Sequence, residues 1–180
     1  DFGDKGTLSF DESIAAQVRS EGQTYTYSKD FIALNKSVTL AAGATSYTLD
    51  GDNNYNAVNA LAATQAVSLI GNAFANTLTA GDKGSTLNGG AGNDNLTGGA
   101  GTDVFIYEDK SGKDVIYNYG TGDKFSVTSA NIASGTTNSN GDLVFKIDNS
   151  NSITFKPADN GDEVEKILLA GGADSLTKDG

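Results

Sequence analysis

Two nonapeptides in direct succession, GGAGNDNLT (89–97) and GGAGTDVFI (98–106), constrain this 180-residue chain more than anything else in it. Both follow the pattern Gly-Gly-x-Gly-x-Asp-x-U-x, where U is a large apolar residue, Leu96 and then Phe105. Glycine at positions one, two and four opens backbone conformations closed to other residues, so the chain can curl and aim carbonyl oxygens inward. Aspartate at position six adds a carboxylate to those oxygens. The x-U-x triplet is a very short strand whose alternation sends U to one face and its two neighbours to the other. Turn, strand, turn, strand makes a flattened coil from two nonapeptides.

The nine-residue frame continues on both sides with altered turn chemistry. Counting back from Leu96 puts Leu87, Leu78 and Leu69 at U, while position six becomes Ser85 in AGDKGSTLN and Asn76 in GNAFANTLT. Those coils read as closed by hydrogen bonds and side-chain amides. Residues 57–67 are alanine-rich, and continued coil is favoured there over a short helix. After Ile106, two residues (Tyr107 and Glu108) are inserted. DKSGKDVIY (109–117) and NYGTGDKFS (118–126) then restore the frame, with Asp114 and Asp123 at position six and Ile116 and Phe125 at U. Because one coil uses two nonapeptides, bends recur on the same side every second repeat. One stack should hold Asn76, Asp94 and Asp114, and the opposite stack Ser85, Asp103 and Asp123. The outward positions Val104, Ile106, Val115 and Tyr117 are apolar, unlike Thr77, Thr79, Asn95 and Thr97 earlier. An apolar outer face needs a cover, and the 127–156 segment is the nearest.

The flanks read as antiparallel β. Thr24-Tyr25-Thr26-Tyr27, 37–40, 142–147 and 152–156 alternate or are β-branched and aromatic. Asp148-Asn149-Ser150-Asn151 is a turn signal, so 142–156 predicts a hairpin. Residues 11–20 could form a short helix, with Ile14 and Val18 four apart. Laid over 119–169, residues 1–50 match at Gly3-Asp4-Lys5 (Gly122-Asp123-Lys124), Ile14-Ala15 (Ile132-Ala133), Ser37-Val38-Thr39-Leu40 (Ser152-Ile153-Thr154-Phe155) and Thr48-Leu49 (Ile167-Leu168). Four matches in order suggest an internal repeat of about 120 residues; loose alignment of β-rich polar sequence is the alternative. The domain reading is a flank over 1–50, a coil over 51–126 and a hairpin-containing flank over 127–180.

A formal net charge of −11 argues against nucleic acid or an anionic membrane as the main partner and favours cations. The chain has no Cys and no His, so disulfides, zinc-thiolate sites and Ser-His or Cys-His catalysis are excluded. No apolar run approaches the roughly 20 residues of a membrane helix. The absence of Met suggests a processed product or an excised piece. Asp1-Phe2-Gly3 lacks the other kinase motifs, and Ser111-Gly112-Lys113 lacks the P-loop frame. Asn35-Lys36-Ser37 and Asn95-Leu96-Thr97 spell sequons, the second better explained by the repeat. A paired-carboxylate glycosidase is the alternative on Asp content alone, but a cation already accounts for the carboxylates, and no enzyme activity is expected.

The tandem nonapeptides and their imperfect neighbours resemble the RTX (repeats-in-toxin), or hemolysin-type, family of calcium-binding β-rolls. The resemblance implies an all-β fold, a right-handed parallel β-roll with antiparallel capping segments, and Ca²⁺ as cofactor. It implies that one bend supplies the carbonyls of positions two and four with its Asp, and the next bend those of positions one and three with its own. Carried over, one site takes Gly90, Gly92, Asp94, Asp109, Ser111 and Asp114. The other takes Gly99, Gly101, Asp103, Asn118, Gly120 and Asp123. Up to two weaker sites would lie below, where Asp94 and Asp103 face Asn76 and Ser85, with Gly89, Ala91, Gly98 and Ala100 contributing. A metal-free solenoid held by amide ladders is the alternative. The resemblance further implies type I secretion of an unfolded chain from a Gram-negative-type bacterium, followed by folding outside. The leading functional expectation is a calcium-stiffened, adhesin-like block of a secreted or cell-surface repeat protein, with tandem copies of the module. Behind it stand a module binding a glycan or a partner protein, and the C-terminal secretion region of a toxin or hydrolase.

Overall fold

A three-residue x-U-x strand is stable only if neighbours pair with both of its edges, and a coil provides this by stacking each turn on the last. The computed structural model describes residues 18–20, 23–25, 36–49, 51, 55–108, 111–127, 135–157, 166–169 and 175–177. In chain order the strands are β1 (Val18–Ser20), β2 (Gln23–Tyr25), β3 (Lys36–Thr39), β4 (Ser46–Thr48), β5 (Tyr55–Asn59), β6 (Ser68–Ile70), β7 (Thr77–Thr79), β8 (Thr86–Asn88) and β9 (Asn95–Thr97). They continue as β10 (Val104–Tyr107), β11 (Lys113–Tyr119), β12 (Lys124–Val127), β13 (Gly135–Thr137), β14 (Leu143–Lys146), β15 (Ser152–Pro157), β16 (Lys166–Leu169) and β17 (Ser175–Thr177). No helix occurs among the described residues, and so none that could cross a membrane.

From β3 to β12 successive strands alternate between two sheets, while β1 and β2 pair only with each other. One has the order β17-β16-β12-β10-β8-β6-β4 and the other β13-β14-β15-β11-β9-β7-β5-β3. From β3 to β12 every pairing is parallel. Leu78 lies beside Leu96 in one sheet and Leu69 beside Leu87 in the other, as two nonapeptides per coil require. The molecule is thus an all-β solenoid of the β-roll kind. The U residues Leu69, Leu78, Leu87, Leu96, Phe105, Ile116 and Phe125 fill the space between the sheets, each at most 2 % exposed. We expect Leu87→Ala to lower stability by about 2–5 kcal/mol in urea unfolding at saturating calcium. Thr77→Ala, on the exposed side of its strand, should change it by less than about 0.5 kcal/mol.

The coil begins upstream of residue 51. β3 pairs with β5 and β4 with β6, which brings Val38, Tyr47 and Val58 into the U ladder. Residues 57–67 continue the coil, with a tight bend in which the Ala63 amide donates to the Ala60 carbonyl at 2.9 Å. Within 11–20, where a short helix is expected, Val18–Ser20 is instead strand β1, antiparallel to β2. Ten residues are too few for a helix without packing partners, whereas β2 offers an immediate partner for the backbone. Residues 11–17 lie outside the described residues, as do the matched pairs at 3–5, 14–15 and 132–133.

At the other end the hairpin forms where the turn signal places it. β14 and β15 pair antiparallel, and Asp148 closes the turn by accepting from the amides of Ser150 (2.7 Å) and Asn151 (2.8 Å). It does not cover the apolar outer face. β15 runs parallel to β11, Val115 beside Thr154, and widens the same sheet, leaving Tyr117 36 % exposed. The unpaired edge of β11, with its row of free amides and carbonyls, needs a partner more than the half-buried Val115 needs a lid. The hairpin also seals the core: Phe155 meets Tyr119 and Phe125 edge-on, with ring centroids 5.1 Å apart in each pair, and Phe145 edge-on at 6.0 Å.

Candidate metal-binding bends

Position six lies two residues before U, so strand alternation points its side chain the same way as U, toward the interior. The structure assembles both stacks expected from the repeat. In the first, the Asn76 amide donates to Asp94 Oδ1 at 2.8 Å, and the Asp94 amide to Asp114 Oδ1 at 3.0 Å. In the second, the Ser85 amide donates to Asp103 Oδ1 at 2.6 Å, and the Asp103 amide to Asp123 Oδ1 at 2.8 Å. All six side chains are buried. Each carboxylate therefore clamps the bend below it.

The second carboxylate oxygen mostly serves its own bend. Asp103 Oδ2 accepts from the Gly99 amide at 2.7 Å, and Asp123 Oδ2 from the Gly120 amide at 2.9 Å. Asp94 Oδ2 is buried with no hydrogen-bond partner, as is Ser85 Oγ. Glycine is required where these oxygens come close. A Cβ on Gly98 would lie 2.9 Å from Asp103 Oδ2, and one on Gly92, whose φ is 124°, would lie 2.7 Å from the Phe74 carbonyl oxygen below.

Of the first proposed ligand set, Gly90, Gly92, Asp94, Ser111 and Asp114 lie on consecutive bends of one stack, while Asp109 lies outside the described residues. Ser111 closes the inserted bend: its hydroxyl donates to the Glu108 carbonyl at 2.6 Å and accepts from the Glu108 amide at 3.1 Å. In the second set, Gly99, Gly101, Asn118, Gly120 and Asp123 line one open cleft, with Asp82 and Leu61 also lining it. Asp103 is buried in the lower of the two bends that form it. Asn118 adopts a left-handed conformation (φ 58°), and its side-chain amide donates to the carbonyls of Gly98 (2.9 Å) and Gly99 (3.1 Å). Among the weaker positions, Gly89 packs against Asp94 Oδ2, and the Ala91 amide donates to the Asn72 carbonyl at 3.0 Å.

Three contributors went unread in the sequence. Asn93 Oδ1 accepts from the Lys113 amide at 2.8 Å, and Asn151 Oδ1 accepts from the Gly112 amide at 3.0 Å, so amide side chains carry the stacking past the insertion. Asp82 receives a long contact of 3.4 Å from the Ala100 amide. Asn93 stands at position five of a perfect nonapeptide, a position free to vary and so easily passed over.

The electrostatics of the bends are strained in one direction. Burial pushes Asp94 up to about 6, against the Asn76 amide bond that favours its charged form. Burial pushes Asp103 to about 6, opposed by the Gly99 and Ser85 amides and reinforced by the carboxylates of Asp123 and Asp82. Burial carries Asp114 to about 8, with the Asp94 carboxylate adding to it, and burial also raises Asp123. A hard divalent cation such as Ca²⁺ takes six to eight oxygens and accepts backbone carbonyls readily. Among the described residues no three acidic side chains converge, so a cation here would take two carboxylates and fill its shell from carbonyls. The unpartnered Asp94 oxygen and the paired, acceptor-only carboxylates fit that requirement.

Residues 70–105 match a family model described as the RTX calcium-binding nonapeptide repeat, in four copies. The match ends just before the inserted Tyr107 and Glu108. No curated protein matches the chain.

Proposed function

We propose that this chain, a calcium-binding β-roll module built of RTX repeats, serves as a calcium-stiffened block in a large secreted or cell-surface bacterial repeat protein, adhesin-like in its role. The observation that carries the reading is the stacking of Asp94 with Asp114 and of Asp103 with Asp123, held in place by backbone amides. Gly90, Gly92, Asp94, Ser111 and Asp114, with Asp109, would hold one ion, and Gly99, Gly101, Asp103, Asn118, Gly120 and Asp123 another. Bound calcium supplies positive charge that offsets the aspartates and joins one bend to the next. No group in these bends is asked to transfer a proton or attack a substrate, and the module is read as non-enzymatic.

Ligands so far apart in sequence converge only when the coils form, so ion binding and folding are one event. Each site filled at 100 times its dissociation constant adds about 2.7 kcal/mol to the folded state. Such coupling suits a polypeptide that leaves the cytosol unfolded and orders where calcium is abundant. We expect far-UV circular dichroism to show a largely disordered chain at sub-micromolar calcium and β structure at millimolar calcium, with calorimetry reporting at least two ions bound. Magnesium, which demands tighter octahedral geometry, should not substitute. A spectrum indifferent to calcium would defeat the reading.

A further inference from the structure

Strand pairing brings out a second internal likeness at a longer step than about 120 residues. Gln23-Thr24-Tyr25-Thr26-Tyr27 lies over Asn151-Ser152-Ile153-Thr154-Phe155, type for type, at a step of 128. Leu40-Ala41-Ala42-Gly43-Ala44-Thr45-Ser46-Tyr47-Thr48 lies over Leu169-Ala170-Gly171-Gly172-Ala173-Asp174-Ser175-Leu176-Thr177 at 129, with Leu, Ala, Gly, Ala, Ser and Thr identical. Structure follows the same step. The β1–β2 hairpin falls on the β14–β15 hairpin to within a few residues, both antiparallel, with β2 landing on β15 and β1 reaching the end of β14 at Lys146. β3 corresponds to β16, and Val38 and its counterpart Ile167 both pack on the core.

The likeness breaks at one point. In the first copy β3 and β4 stand in different sheets, as a coil, and pair parallel with β5 and β6. In the second copy β17 folds back antiparallel on β16, in the same sheet, with Lys166 beside Thr177. Similar sequence thus takes two structures. The edges explain which. β16 uses one edge for β12 and gives the other to β17; β3 uses one edge for β5 and, among the described strands, pairs with none on the other. The open edge of β3 is thus the one β16 gives to β12, and the edge lent to β17 is the one β3 gives to β5.

We propose that the partner of these two edges is a further copy of the same unit in the same polypeptide. β16 and β17 are the opening coil of a next β-roll, and β17 covers the edge of β16 until a following strand equivalent to β5 takes it. Successive rolls then share one parallel ladder and are not beads on a flexible string. This rests on reading the chain as a block of a repeat protein.

The test compares two chains at millimolar calcium: residues 1–180, and residues 1–177 running directly into a second copy of 49–180. Each carries Lys166→Cys and Thr177→Cys. In the shorter chain the two cysteines face each other across the hairpin and should join on mild oxidation. In the longer chain the coil separates them, and joining should be at least tenfold slower. The equivalent pair, Ser37→Cys with Thr48→Cys, reports the coil directly and should not join in either. Equal joining of the 166–177 pair in both chains would overturn the proposal, as would a longer chain that binds no more calcium than the shorter. If the shorter chain itself bound no calcium, the functional reading would fall instead, so the two failures are distinguishable by calorimetry.

Discussion

A chain carrying Asp94→Asn and Asp114→Asn should bind fewer calcium ions than the parent, yet be the more stable of the two when calcium is withheld. The opposite signs follow from what each oxygen does. Oδ1 of both residues accepts an amide from the bend below, and an asparagine carbonyl keeps that bond. Asp94 Oδ2 has no partner, so an amide nitrogen there displaces nothing. What is removed is the buried charge. With Asp94 held near 6, ionising it in the metal-free coil at pH 8 opposes folding by on the order of 3 kcal/mol. With calcium present most of that advantage is offset, because the site loses both carboxylates and with them about 2.7 kcal/mol of linked stability at 100 times the dissociation constant. Calorimetric stoichiometry and urea midpoints with calcium, and the β content seen by far-UV circular dichroism without it, read both halves. Asp103→Asn is the instructive contrast. Both its oxygens accept amides, from Ser85 and Gly99, so an asparagine sets N–H against N–H and should destabilise the chain in either condition. A double variant destabilised equally with and without calcium would mean the carboxylates are scaffold and not ligands.

The repeat itself was legible because its constraints are local. Glycine spacing, position six and U lie within nine residues, and they sufficed to place both stacks and the Leu69-to-Phe125 ladder. Reading failed where the spacing changed. Val58 precedes Leu69 by eleven residues, since the bend around Ala60 and Ala63 carries two extra residues, and Tyr47 precedes Val58 by eleven as well, so counting by nines passes over both. The hairpin over 142–156 was visible from its turn, but its position was not. Whether it covers a face or extends a sheet depends on the unpaired edge of β11, which no local pattern records. The amide bridges of Asn93 and Asn151 were hidden for a related reason: they join bends twenty and thirty-nine residues apart in sequence.

In solution stripped of calcium by resin, the chain should recover β structure when acidified from pH 8.5 to pH 5. Asp94, Asp103 and Asp114 stand at about 6, 6 and 8 in the folded coil, against 3.8 for an ordinary aspartate, and burial is the first cause in each. A carboxyl whose value is raised by folding holds its proton more tightly in the folded state. Its contribution to stability is then complete below about 3.8 and is lost as pH climbs through the folded value. For this coil the window of loss runs from near 4 to about 8, with a slope on the order of 1 kcal/mol per pH unit for each group in transit. Asp142 and Asp148 run the other way. Asp142 is partly desolvated, but bonds from Asn138 and Lys156 bring it down, and bonds from Asn151 and Ser150 lower Asp148. Their support disappears only in stronger acid, which sets pH 5 as the place to look. Calcium inverts the dependence, because the ion needs the ionised carboxylates and protons compete for them. Stability with calcium should therefore fall as pH drops from 8.5 to 5, over the range in which stability without calcium rises. Circular dichroism along both titrations should give curves of opposite slope, and parallel curves would show that the buried carboxyls do not control the folding of the coil.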